Sequence, residues 1–302
     1  MINYENPFSN FIEDKVGLLK WRRMWNKRLG YNAQEWLEQN YPQKQKVKFR
    51  ILFLRNKDLV GKLTIEGYEK VESIHCEYNN KLESVKLVNL PELASFNANG
   101  CSLKNIIIKD CPKITKLNLG NNLLESTEFL KGLNHPEKLE YLYLHGNNFN
   151  NDKKKEECGL GFLSKFVNLK LLCIDNPDKE RFKEGIYNRF YGSLEPLKKL
   201  DKLRWLNISN TDIDLGASFL PISVRKIGCD VDNWRGGAGC SKIIDELKEK
   251  LGAKKVFQQI EAEEPGFAKN WFVVEPHVNK ANVMILQCAK LLLVFDVFKI
   301  II

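Results

Sequence analysis

Histidine is scarce in this chain and never clustered: His75, His135, His145 and His277 are far apart. The eight cysteines are scattered and include no C-x-x-C pair. Zinc sites draw their ligands from closely spaced Cys and His, so no metal centre is expected. With no paired-cysteine framework, a disulfide scaffold is excluded and a reducing compartment is favoured. The first twelve residues, Met1–Ile12, carry Asn, Glu and Ser where a signal peptide would have a cationic start and an apolar run. No leader is expected, and a cytoplasmic location follows. Also missing are a nucleophile–base pair and paired carboxylates above background. We therefore expect no enzyme, no catalytic residues and no cofactor. Gly236-Gly-Ala-Gly239 is glycine-rich, but the Lys-Ser/Thr of a phosphate loop does not follow its last glycine.

What is present is a repeat. Leu139–Phe149 fits L-x-x-L-x-L-x-x-N-x-F at every fixed position, the core segment of a leucine-rich repeat. The three apolar slots recur in phase at Phe49/Leu52/Leu54, Val71/Ile74/Cys76, Leu93/Phe96/Ala98 and Ile114/Leu117/Leu119. They recur again at Leu139/Leu142/Leu144, Leu169/Leu172/Ile174, Leu203/Leu206/Ile208 and Val224/Ile227/Cys229. All 24 slots are apolar in a chain that is 43% apolar, an agreement with chance on the order of 10⁻⁹ before allowing for choice of register. Start-to-start spacings are 22, 22, 21, 25, 30, 34 and 21 residues, so the later coils carry insertions.

Alternation within x-L-x-L-x makes each segment a short strand with one buried face. A coil cannot bury that face alone, and stacked coils can. The expected fold is therefore α/β: a curved leucine-rich repeat solenoid whose parallel strand face has about eight coils, with helical caps at both ends. A second apolar rhythm, Val60/Leu63/Ile65, Leu82/Val85/Leu87 and Leu103/Ile106/Ile108, predicts an extended return side in the first coils. After Leu124 the longer coils leave room for helix on that side. Asn79, Asn122 and Asn147 hold the ninth slot, where an amide can serve turn backbone inside the stack. Cys101 substitutes there, while Lys57, Pro177, Thr211 and Asp232 depart and predict looser or differently closed coils.

Three regions follow: a helical N-terminal cap over 1–46, the solenoid over 47–235, and a C-terminal cap helix with an apolar tail over 236–302. In the first, Ile12–Leu29 is expected to be a basic helix, and Asn32 with Glu35 has capping-box form before a helix that Pro42 ends. Asp178 can N-cap a helix in the insert Pro177–Leu200, with Phe182, Ile186 and Phe190 as its packing stripe. Ser241–Leu251 reads as an amphipathic helix with Ile244, Leu247 and Leu251 inward, and 252–282 shows no clear period. Val283–Ile302 is largely apolar but holds Lys290, Asp296 and Lys299. The preferred reading of this tail is a buried strand or helix edge, or an end not native to the repeat; insertion into a membrane, as the lesser alternative, would be through this tail.

The residues between apolar slots are expected to face outward and align in columns. Early coils place small polar residues there. Later ones place Tyr141, Tyr143, His145, Leu171, Asp175, Trp205 and Asn207 side by side, which marks a protein-binding face. Net charge is +9, and Met1–Arg50 carries ten Lys/Arg against five Asp/Glu. That balance supplies the alternative, binding of nucleic acid or an anionic membrane by the basic N-terminal region. Nucleic acid is the less expected partner.

The coils over 47–232 resemble leucine-rich repeat proteins. Four stretches narrow the likeness: Asn32-Ala-Gln-Glu-Trp-Leu-Glu-Gln-Asn-Tyr-Pro42, Leu59-Val-Gly-Lys-Leu-Thr-Ile65, Tyr187-Asn-Arg-Phe-Tyr-Gly-Ser-Leu-Glu-Pro-Leu197 and Asn207-Ile-Ser-Asn-Thr-Asp-Ile213. They resemble the expanded intracellular repeat proteins of arbuscular-mycorrhizal fungi. The resemblance implies a binding module, a scaffold or adaptor in intracellular signalling, and brings no catalytic residues with it. The apolar C-terminus departs from that pattern.

Overall fold

The computed structural model describes residues 30–150, 153–229, 231–235, 239–251, 255–257 and 270–273. The basic helix expected over Ile12–Leu29 and the apolar tail Val283–Ile302 lie outside these residues.

Strand β1 (Tyr31–Asn32) leads into the helix Ala33–Asn40. The Asn32 side chain accepts from the backbone N–H of Gln34 and Glu35, both at 3.0 Å, satisfying two donors the helix itself cannot pair. The helix stops at Tyr41, ahead of Pro42. From there the chain alternates between two sheets. β2 (Ile51–Phe53) is followed by β3 (Leu59–Glu66), β4 (Ser73–His75) by β5 (Lys81–Val88), and β6 (Ser95–Asn97) by β7 (Asn105–Lys109). Then come β8 (Lys116–Asn118), β9 (Tyr141–Tyr143), β10 (Leu171–Cys173), β11 (Tyr191–Ser193), β12 (Trp205–Asn207), β13 (Asp212–Leu215) and β14 (Lys226–Gly228).

One sheet runs β2-β4-β6-β8-β9-β10-β12-β14, every pair parallel. The middle apolar slots face one another strand by strand, from Leu52 and Ile74 through to Leu206 and Ile227. Beyond β14 the sheet continues antiparallel through β16 (Asn270–Val273) to β15 (Lys255–Phe257), in a region without sequence period. The return side carries a second parallel sheet, β1-β3-β5-β7, as the apolar rhythm of the early coils predicts. Between the sheets lies a continuous core. Of the 24 slot residues 23 are buried, and Phe49 is half-buried. Each buried Leu-sized side chain contributes about 1.5–3 kcal/mol, before chain entropy is set against it.

The face strands are short because the coil turns at once. Asn56, Tyr78, Gly100, Asn121, Gly146 and Asn210 hold the eighth position of their coils, with φ between 52° and 67°. Gly and Asn dominate there because this left-handed backbone costs them least.

Three expectations need correction. The longer coils close through short 3₁₀ turns, Glu128–Gly132, Gly161–Lys165 and Glu195–Leu197, where helix was expected. Asp178 does cap a helix, accepting from Glu180 and Arg181 N–H, but that helix is only Lys179–Lys183. Gly185, at φ 78°, ends it, and Phe190 reaches the core from extended chain while Phe182 and Ile186 stay half-buried. The stripe is thus not a helical one. In the last helix, Cys240–Leu251, Ile243 and Leu247 turn inward and Ile244 is half-buried. The Glu246 carboxylate on this helix accepts from the N–H groups of Gly216 and Ala217, both at 3.0 Å.

Candidate partner-binding face

Strand register decides which side chains share the outer surface. Ser73, Ser95, Lys116, Tyr141, Leu171, Trp205 and Lys226 form one column. Beside it run His75, Asn97, Asn118, Tyr143, Cys173 and Asn207. Tyr141, Tyr143 and Trp205 are all partly exposed, so these three of the expected site residues are on the surface, with β10 between the two tyrosines and the tryptophan. Each ring carries a cation: Lys170 over Tyr141 at 6.0 Å, Lys116 over Tyr143 at 5.9 Å and Lys226 over Trp205 at 5.1 Å.

The other four expected site residues, His145, Leu171, Asp175 and Asn207, are buried. This corrects the outward assignment of their columns. Leu171 lies in register between two larger neighbours, Tyr141 and Trp205, and is 2% exposed. Asn207 works for the backbone, its Oδ1 accepting from Ser209 N–H at 3.1 Å. Asn97 and Asn118 do the same at the same repeat position, to Asn99 and Gly120. His145 and Asp175 belong to the seventh repeat position, where the strand has ended and the coil is turning inward. Glu77, Asn99 and Ser209, which share that position, are buried too.

His145 lies against Gly120 so closely that a Cβ there would come within 2.2 Å of its ring. Its Nε2 is 3.3 Å from the Asn121 amide, and its Nδ1 is buried without a partner. Burial pushes the His145 pKa down to about 4, so the ring is neutral at neutral pH. On the next coil Asp175 is held in place by Gly146 N–H, which donates to its backbone carbonyl at 2.9 Å. Burial raises its carboxyl well above the usual range, against the opposing pull of its own N–H and the Asn207 amide. One carboxylate oxygen, Oδ1, has no partner.

Around the turns the ninth-slot asparagines form the expected ladder. Asn79 Nδ2 donates to Leu54 and Cys76 carbonyls, Asn122 to Ala98 and Leu119, and Asn147 to Leu119 and Leu144. Each rung thus joins the last apolar slot of one coil to that of the next. Cys101 makes one of these bonds, Sγ to the Cys76 carbonyl at 3.2 Å. In the coil where Pro177 holds the slot, Asn188 enters from the insert. Its Nδ2 donates to Leu144 at 2.9 Å and Ile174 at 3.1 Å, the two carbonyls that rung requires. The residue that does this work is eleven positions later than the template predicts, so pattern matching missed it. Thr211 closes its own coil through Oγ1 to Ile208 at 2.6 Å. Arg181, also from the insert, donates to the Asn122 and Gly146 carbonyls, which places the insert over the turns and not over the middle of the face.

At its other end the face carries Phe53, 57% exposed and stacked on His75 at 5.5 Å between centroids. Sequence reasoning treated these coils as small and polar and passed it over. The backbone N–H of Phe53 donates to Tyr41 Oη, and Thr64 N–H to Gln34 Oε1, so side chains from the N-terminal segment occupy donors at the sheet edges. A recess of about 1050 Å³ lies off the face among Arg50, Glu72, Asn89, Glu92, Asp110 and His135, where Arg50 and Glu72 pair with each other. Among the described residues no group of three or more His, Cys, Asp or Glu could hold a metal ion, and no helix is long and apolar enough to cross a membrane. No family model matches the chain, and no curated protein matches it.

Proposed function

We propose that the chain is an intracellular leucine-rich repeat protein, a scaffold or adaptor in signalling that binds another protein on its strand face. The observation that carries this reading is that Tyr141 and Tyr143 on β9 and Trp205 on β12, two strands away in the same parallel sheet, are all partly exposed on one face. Rigid aromatics with polar tips lose little entropy on binding and dominate interface hot spots. Strands are also a firm base for them, because every face strand is held on the buried core. The L-x-x-L-x-L phase supports the repeat assignment, and the four stretches of fungal-type wording support the narrower kinship. The reading assigns no catalytic step.

The test is a paired affinity capture with mass spectrometry. One bait is the full chain; the other carries Tyr143→Ala and Trp205→Ala, with an unchanged circular dichroism spectrum. Loss of a partner set with the variant is expected. The same partners on both baits would overturn binding on this face.

A further inference from the structure

The aromatic face is also a cationic one, and the two properties meet at a single recess. A cavity of about 170 Å³ is lined by Tyr141, Lys170, Leu171, Arg204 and Trp205. Tyr141 and Trp205 are its walls, since they flank Leu171 in register on either side. Leu171 is its apolar floor. Small-molecule and cofactor sites occupy roughly 300–1,000 Å³, so this recess is too small for one. It suits a single side chain.

The rim is positive. Lys170 comes from the residue before β10 and Arg204 from the residue before β12. Lys170 is neutralised by Glu140 at 2.7 Å. Among the described residues Arg204, Lys116 and Lys226 have no acidic partner. Lys116 and Lys226 flank the recess at the same repeat position, each against an aromatic ring. The first coils differ. There Arg50 pairs with Glu72 and Arg55 with Glu77, so that part of the face is balanced. Excess positive charge is thus concentrated where the aromatic rings are.

Resting on the protein-binding reading above, we propose that this recess takes one apolar side chain from an extended acidic segment of the partner protein. Its neighbouring carboxylates would meet Lys116 on one flank and Lys226 on the other, with Arg204 at the rim. Complementary charge would steer the encounter and set the register, and the apolar anchor would hold it. Single-stranded nucleic acid is the other polymer that favours aromatics among cations. The geometry favours peptide, because the floor is aliphatic and Tyr143 and Trp205 already carry lysines where a base would stack.

The test pans a random peptide library displayed on phage against the full chain. We expect enrichment of one aromatic or aliphatic residue flanked by Asp and Glu. A fluorescent peptide of the selected consensus is then titrated onto the wild type, onto Arg204→Glu with Lys226→Glu, and onto Tyr143→Ala with Trp205→Ala. Arg204 is exposed and Lys226 half-buried, and circular dichroism checks each fold. Charge reversal is expected to weaken binding by about tenfold or more and to flatten its salt dependence. Peptides without acidic enrichment that still lose binding to the aromatic variant would overturn the acidic-partner proposal alone. Peptides bound equally by all three proteins, or no enrichment at all, would count against it and against use of the face. A random 12-nucleotide RNA bound more tightly than any selected peptide, with affinity lost in the aromatic variant, would replace peptide with nucleic acid.

Discussion

At the scale of the residue, His145 and Asp175, both buried at the seventh repeat position, pull stability in opposite directions. His145 has a folded pKa of about 4 against an ordinary 6.5. Its contribution is fully present above 6.5 and is lost as pH falls toward 4, because the unfolded chain takes up a proton that the fold refuses. The loss is on the order of 3 kcal/mol by pH 4. Urea unfolding of wild type and His145→Gln at pH 7 and 4.5 should therefore show a smaller drop in the variant. Equal drops would mean that His145 is solvated in solution. Asp175 has a raised pKa, so its contribution is greatest below its unfolded value and is lost as pH rises. With Oδ1 unpaired, Asp175→Asn should stabilise the fold at pH 7 by about 1–3 kcal/mol. That gain should shrink as pH drops toward 4. A thermal melt that moves down at pH 7 would contradict the burial argument.

At the scale of the element, what matters is how coils are joined at their turns. Asn188 satisfies the Leu144 and Ile174 carbonyls across the largest insertion. Replacing it with Ala leaves the buried Ile174 carbonyl without its donor, while the Leu144 carbonyl keeps only Asn147 Nδ2 at 3.0 Å. Asn188→Ala should cost about 1–3 kcal/mol in denaturant unfolding. Asn40→Ala, which removes a bond on an exposed helix surface, should stay within about 0.5 kcal/mol. Similar costs for the two would show that the rung is not needed. The template was a sound guide to Asn79, Asn122 and Asn147, since their slot and their bonds coincide. It could not reach Asn188, because an insertion detaches a residue's place in space from its place in the count. The 3₁₀ turns were hidden for a related reason. Short apolar clusters such as Phe129, Leu130 and Leu133 fit either helix type, and only the room left by the neighbouring coil selects one.

At the scale of the whole molecule, coils touch their neighbours more than anything distant, so damage should spread outward from its source. Leu142 is the middle slot of the fifth coil and is fully buried. Leu142→Ala should cost about 2–5 kcal/mol. Hydrogen exchange should show protection falling most in β8, β9 and β10 and least in β2 and β4. A uniform loss across all face strands would instead indicate one all-or-none unit.

The sequence by itself determined the number of coils, their phase, the buried slots and the extended return side of the early coils. These depend on a local period that every coil repeats, and burial of one face of a strand enforces it. It also placed Tyr141, Tyr143 and Trp205 on the surface, because side chains beside the middle slot of a strand point away from the core. Only the tertiary structure decided that His145, Leu171, Asp175 and Asn207 are interior. Their exposure depends on the size of neighbours in adjacent coils and on where each strand bends inward. The recess over Leu171 and the gathering of cations around it are of the same kind. They arise from stacking residues about thirty positions apart in the chain, and no local pattern records which side chains that stacking brings together.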